Sequence, residues 1–217
     1  MVKVKNTANR HTSSRAHDAD RGARAAAPKS SGTSRILRII GGKHRGRRLR
    51  FPAGVTIRPT PDRVRETLFN WLQPRIAGAR VLDLFAGSGA LGLEALSRGA
   101  AHVRFVEKDR RAASAIDTLI SEWQETGAQV TCADALGWLA QSAGSAPFDI
   151  VFLDPPYDAV DLDTLVAAGA RQLSDAGVLV LEHAVRRAAP QPADVALARV
   201  LKSGDSALSF YRHAARR

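Results

Sequence analysis

Four consecutive residues, Asp154-Pro155-Pro156-Tyr157, directly follow an apolar run from Ile150 to Leu153. Two adjacent prolines offer no N–H and hold an extended backbone, which suits a place where a carbonyl must be aimed outward. An exocyclic amine on a nucleobase is a weak nucleophile, because its lone pair is delocalised into the ring. If the Asp154 carboxylate and the Pro155 carbonyl each accept one of its N–H groups, that pair is drawn toward tetrahedral geometry and aimed at a methyl sulfonium. Asp154 then stabilises positive charge developing on nitrogen and need not be a strong base. Tyr157 supplies a ring on which an unstacked base can lie, worth about 1–3 kcal/mol. The competing reading is a plain strand-ending turn, which Asp-Pro commonly opens.

A second constellation begins at Asp83 and continues as Leu84-Phe85-Ala86-Gly87-Ser88-Gly89-Ala90-Leu91-Gly92. Gly87, Gly89 and Gly92 have G-x-G-x-x-G spacing, and Glu107 follows Gly87 by 20 residues. Glycines let the backbone approach a bound nucleotide closely, while a carboxylate at the next strand's tip accepts both ribose hydroxyls. That much fits either a dinucleotide or S-adenosylmethionine. Asp83 leans toward the latter, since a carboxylate before the turn suits the amino group of a cationic sulfonium ligand better than a pyrophosphate. Asp134 could take the adenine amino group, and reads equally well as a helix N-cap.

Elements must bring these residues together. Apolar runs at Val81–Phe85, Val103–Val106, Val130–Ala133, Ile150–Leu153 and Val178–Leu181 alternate with helical segments near 90–97, 110–124, 135–142 and 160–173. That alternation predicts a parallel sheet with helices on both faces. Ala196–Leu201 and Ala207–Tyr211, around Ser203-Gly204-Asp205, predict a hairpin adding antiparallel strands at an edge. Thr60-Pro61-Asp62 predicts a helix start with the Thr hydroxyl as cap, running to about Leu72 with Val64, Leu68, Trp71 and Leu72 inward and Arg63, Arg65, Glu66 and Asn70 off that face. From Arg35 to Phe51, Ile36, Ile39 and Leu49 interleave with cationic residues around Gly41-Gly42 and Gly46, which reads as a basic β-hairpin. His183, after the fifth run, reads as structural.

The 217 residues leave room for one sizeable core, and no apolar run approaches the roughly 20 residues that span a bilayer. The net charge of +11 is concentrated: residues 1–50 hold 14 of the 32 Lys and Arg against only Asp18 and Asp20, leaving the other 167 residues at −1. A basic end on a near-neutral body points to a polyanion, nucleic acid before others. Residues 1–34 read as a disordered basic tail, residues 35–58 as the hairpin extension and residues 59–217 as the catalytic domain. The single cysteine, Cys132, forms no internal disulfide and suits a reducing, cytoplasmic compartment. No metal-ligand spacing is present.

Taken in order, Arg38-Ile39-Ile40-Gly41-Gly42 with Arg45-Gly46-Arg47, Arg58-Pro59-Thr60 with Asp62-Arg63-Val64-Arg65-Glu66-Thr67-Leu68-Phe69-Asn70-Trp71-Leu72, the glycine turn through Leu93-Glu94-Ala95, and Asp154-Pro155-Pro156-Tyr157 resemble the bacterial 16S rRNA guanine-N2 methyltransferase family. The turn and Asp-Pro-Pro-Tyr are shared by many amino methyltransferases, whereas the arginine-rich helix start behind a Gly-Gly basic hairpin is specific. The resemblance implies an α/β, Rossmann-like class I fold, with a seven-stranded, mostly parallel sheet whose last strand is antiparallel. It implies methyl transfer from S-adenosylmethionine, with S-adenosylhomocysteine as product, to one guanine N2 of 16S rRNA, within the small ribosomal subunit or an assembly intermediate. Nothing in the sequence points to an obligate protein partner or forbids a monomer. On this chain the cofactor residues would be Asp83, Phe85, Ala86, Gly87, Ser88, Gly89, Glu107, Lys108, Asp134 and Ala135. Thr60, in the segment that resembles a closing part, and Asp154 complete the set. Asp154, Pro155, Pro156 and Tyr157 would hold the guanine. Arg38, Lys43, Arg45, Arg47, Arg48, Arg50, Arg58, Arg63 and Arg65 are the candidate RNA contacts, and for the helix arginines a solvated charged face is the competing reading.

Two other classes share part of the pattern. A nicotinamide oxidoreductase would use the glycine turn and Glu107 but leaves Asp154-Pro155-Pro156-Tyr157 and the basic end unexplained. A non-enzymatic RNA-binding assembly factor would use the hairpin alone. Among amino methyltransferases the residues leave adenine N6 and cytosine N4 open beside guanine N2, and the resemblance selects guanine.

Overall fold

The computed structural model describes residues 37–49, 60–142, 146–156 and 161–214. The expected tail at 1–34, together with Arg50, Arg58 and Tyr157, lies outside the described residues. Strands β3 (Arg80–Asp83), β4 (His102–Glu107), β5 (Ala128–Cys132), β6 (Phe148–Leu153), β7 (Leu173–Ala184), β8 (Val195–Ser203) and β9 (Ser206–His213) form one sheet in the order β5-β4-β3-β6-β7-β9-β8. The first five of these strands run parallel, β9 is antiparallel to β7, and β8 closes the edge antiparallel to β9. The mostly parallel seven-stranded sheet is therefore as expected. β7 begins five residues before the predicted run, because Leu173 pairs with Phe148 ahead of a register shift.

Strand alternation divides the core into two layers. Val81, Phe105, Phe152 and Val180 face α1 (Asp62–Ile76), α2 (Ala90–Ser97) and α3 (Arg110–Glu122). Leu82, Val106, Leu153 and Leu181 face α4 (Ala135–Gln141) and α5 (Leu162–Ala170). α1 outruns its predicted end at Leu72, continuing through Pro74 to Ile76. Ile76 is fully buried, and its packing holds the last turn despite the missing proline N–H. Among the described residues no helix is long and apolar enough to cross a membrane.

The basic hairpin consists of β1 (Leu37–Arg38) and β2 (Arg48–Leu49), and it shares one compact unit, Arg35–Arg217, with the sheet. Leu37, Ile39 and Leu49 enter the α1–α3 layer of the core. Its anchor is Glu94 of α2, whose side chain is completely buried. One carboxylate oxygen accepts the Ile40 N–H at 2.7 Å, and the other accepts Gly41 N–H at 2.8 Å and Arg98 Nε–H at 2.7 Å. The Ser97 hydroxyl donates to Gly41 O and accepts His44 N–H. Glu125 binds both Lys43 and His44; burial alone would raise its pKa, but those two partners outweigh burial and lower it.

Replacing Glu94 with Ala strands Arg98 and two backbone N–H groups in the interior. The expected cost is about 3 kcal/mol or more, read as a lower urea midpoint at unchanged slope; a loss under about 1 kcal/mol would contradict the anchor.

Candidate active site

Each of four neighbouring strands ends its apolar run on an acid: Val81-Leu82-Asp83, Phe105-Val106-Glu107, Phe152-Leu153-Asp154 and Val180-Leu181-Glu182. The strands lie side by side as β4-β3-β6-β7. The register pairs Asp83 with both Phe105 and Phe152, and Leu153 with Leu181. Glu107, Asp154 and Glu182 therefore stand level at the carboxyl edge, with Asp83 one pleat beneath. All four fall on the α1–α3 face, by alternation from Phe105, Phe152 and Val180. Parallel topology has gathered four carboxylates that are scattered over 100 residues of chain.

Asp83 is 2% exposed, and its Oδ2 accepts the Gly92 N–H at 2.9 Å. Burial raises its pKa to about 7, against the opposing Gly92 hydrogen bond and with a further push from the Glu107 charge. Glu107 Oε2 accepts the Gly87 N–H at 2.7 Å, and Oε1 accepts the Asp109 N–H at 2.7 Å. One carboxylate so fixes both the glycine turn and the start of α3. Gly89 is the left-handed N-cap of α2 at φ 68°, a conformation that a side chain disfavours. Gly92 packs so close to β4 that a Cβ would fall 2.2 Å from Phe105 Cε1. At Gly87 a Cβ would meet nothing nearer than 3.8 Å, so the turn presents its backbone to open space.

Ala86, Ser88 and Ala135 are buried, Phe85 is half-buried and Lys108 exposed. Asp134 is exposed and caps α4 by accepting the Gly137 N–H at 3.0 Å, which satisfies its helix-capping reading. Asp154 is half-buried, Pro155 buried and Pro156 exposed. Thr60 departs from expectation: the N-cap of α1 is Pro61, and no side chain caps the helix. The Thr60 hydroxyl instead donates to Glu182 Oε2 at 2.9 Å, both residues being buried. As a cap the Thr60 oxygen would accept a helix N–H; here its O–H donates instead in a charge-assisted bond to a carboxylate, which orients the hydroxyl toward β7. His183 is locked between Ser209 Oγ at 2.9 Å and Ala184 O at 3.1 Å, and burial lowers its pKa.

Of the candidate RNA contacts, Arg38, Lys43, Arg45, Arg47, Arg48 and Arg63 are exposed. Arg38 lies 3.5 Å from Asp62, and Arg47 sits over the Trp123 ring. Arg65 is a correction: it is 1% exposed, donating to Arg38 O at 2.7 Å and Asp62 at 2.9 Å. The docked hairpin covers the side of α1 that the periodicity left to solvent, so Arg65 is a tie between hairpin and helix. Sequence reading also passed over Glu182, whose signal is the same acid-after-apolar-run pattern as its three neighbours. A separate cavity of about 440 Å³ lies toward the amino end of β7, lined by Trp71, Phe210, Arg75, Arg199 and Arg212 among others, and contains none of these carboxylates.

A family model described as Conserved hypothetical protein 95 matches residues 37–212. The chain belongs to that family. Ribosomal RNA small subunit methyltransferase D of Escherichia coli K12 is 41% identical over 191 residues, 87% of this chain and 95% of the relative. The putative rRNA methyltransferase YlbH of Bacillus subtilis is 41% identical over 151 residues, covering 68% of this chain and 82% of its own. Among solved structures, a putative methyltransferase from E. coli superposes with TM-score 0.74 at 40% identity, over 83% of this chain and 99% of that one. A putative methylase from Haemophilus influenzae gives 0.70 at 33%, over 82% and 98%. The chain is thus a methyltransferase with a Rossmann-like class I fold.

Because Asp83 binds its proton more tightly when folded than when unfolded, it favours the folded chain at low pH, and that contribution is lost as pH rises from about 4 through about 7. The wild-type chain should lose unfolding free energy between pH 5 and pH 8 relative to Asp83→Asn. Parallel pH profiles of the two chains would contradict the assignment.

Proposed function

We propose that this methyltransferase transfers a methyl group from S-adenosylmethionine to the exocyclic N2 amine of a guanine in 16S rRNA. The observation that carries this reading is the carboxylate row beside the glycine turn, with Asp154-Pro155-Pro156 at its centre and a docked basic hairpin on the same sheet face. The kinship with proteins named for rRNA methylation supports the substrate class.

The residues present fit the cofactor. An open backbone at Gly87, Glu107 at the neighbouring strand tip and Asp83 beneath, whose ionised form a nearby cation would favour, form a pocket edge suited to a cationic nucleoside. When bound, S-adenosylmethionine supplies an electrophilic methyl on sulfur, and the pair of the broken S–C bond stays on sulfur to leave neutral S-adenosylhomocysteine. Phe85, Ala86, Ser88 and Gly89 shape the turn, and Lys108, Asp134 and Ala135, just past the next two strands, would hold the ribose and adenine ends, with one Asp134 oxygen already accepting the Gly137 N–H. Thr60 acts here through Glu182.

Asp154 accepts one N–H of the target amine and the Pro155 carbonyl the other. As the amine's pair forms the N–C bond, positive charge grows on nitrogen and is stabilised by Asp154, and one N–H proton then leaves to that carboxylate or to water. Tyr157 stacks on the base. Exposed Arg38, Arg45, Arg47, Arg48 and Arg63, with Arg50 and Arg58, meet phosphates; Lys43 shares its charge with Glu125. The base must be unstacked to reach the strand tips, which favours a loop in a ribosomal particle over a duplex. A monomer acting in the cytoplasm suffices for this reaction.

Labelled methyl from S-adenosylmethionine should appear as N2-methylguanosine in small subunits lacking the modification, and Asp154→Ala should slow the transfer about 10²–10³-fold. Label on adenine, cytosine or protein would overturn the guanine reading. Replacing Arg45, Arg47 and Arg48 together with Ala should lower the slope of log affinity against log salt by about 2, and an unchanged slope would remove the hairpin from the RNA interface.

A further inference from the structure

The row of carboxylates contains one member that the transfer step leaves unused. Glu182 is 7% exposed and stands level with Asp154 on the adjoining strand β7, one residue past the Leu153–Leu181 pair. Neighbouring strands are ~4.8 Å apart, so the two acids sit shoulder to shoulder on the α1–α3 face. Its Oε2 is fixed by the Thr60 hydroxyl at 2.9 Å, which leaves Oε1 as its second acceptor. Two carboxylates side by side repel unless donors lie between them.

The candidate bases differ in what lies beside their amine. Guanine carries N1–H next to N2, so it offers donors in a row. Adenine has N1 as an acceptor next to N6, and cytosine has N3 as an acceptor next to N4. A carboxylate placed beside Asp154 attracts the first and repels the lone pairs of the other two. We infer that Glu182 Oε1 accepts the guanine N1–H while Asp154 holds the N2 amine, which makes Glu182 the residue that selects guanine. This rests on the proposed guanine-N2 reaction. Thr60 is the positioning residue, since its hydroxyl holds Oε2 and leaves Oε1 turned to the base.

The test compares small subunits reconstituted with guanosine or 2-aminopurine at the methylated position. 2-Aminopurine keeps the amine at C2 but has an acceptor at N1. The wild-type chain should prefer guanosine by about tenfold or more in kcat/KM. In Glu182→Gln the amide oxygen takes over the Thr60 bond and its N–H₂ faces the base. Methylation of guanosine should then fall about tenfold or more and the preference over 2-aminopurine should shrink toward unity. A wild-type chain without preference, or a variant that slows both substrates by the same factor, would overturn the assignment and leave Glu182 as a tie for Thr60. The wild-type comparison stands even if the variant does not fold. Absence of N2-methylguanosine from wild-type reactions on natural subunits would instead reject the underlying reaction, and the assignment with it.

Discussion

Parallel strand pairing in fixed register is the constraint on which everything else here depends. β4, β3, β6 and β7 point their carboxyl ends the same way, so one acid at the end of each apolar run becomes a row of four. A one-residue slip of any of these strands would turn its acid to the α4–α5 face, where the apolar layer has no partner for it. The cost of gathering negative charge is lowered by backbone donors: Gly92 N–H for Asp83, Gly87 and Asp109 N–H for Glu107, and a hydroxyl for Glu182. The same bonds tie the glycine turn and the start of α1 to the strand tips. Electrostatics and loop geometry are therefore one construction.

The hairpin is positioned by a second buried carboxylate system. Glu94 holds Ile40, Gly41 and Arg98, Arg65 reaches Arg38 O, and Glu125 gathers Lys43 and His44. These ties convert a short two-stranded ribbon, unstable by itself, into a fixed part of the body. Its remaining arginines stay exposed and are presented on the side of the sheet that carries the acids.

Much of this was legible in the sequence because the period of apolar residues changes cleanly between strand and helix. The alternation of strands and helices, the glycine turn, Asp83, Glu107 and Asp154 follow from local pattern alone, whereas the order of the strands in the sheet does not. What was not legible depends on contacts made across the chain. Arg65 lies off the apolar face of α1 in the helical pattern, and only the docking of a hairpin 27 residues earlier buries it. Thr60 has the residue type and place of a cap, but its partner is 122 residues away. Glu182 followed the pattern of its neighbours and was hidden by its place beside His183 in a strand without a loop motif.

The most direct measurement of the central claim is a crystal structure of the chain with S-adenosylhomocysteine bound. The account predicts the ribose hydroxyls against Glu107, the backbone of Gly87 in contact with the ligand, and its sulfur facing Asp154. A ligand seated instead in the Trp71–Arg199–Phe210 cavity, away from the carboxylate row, would contradict it.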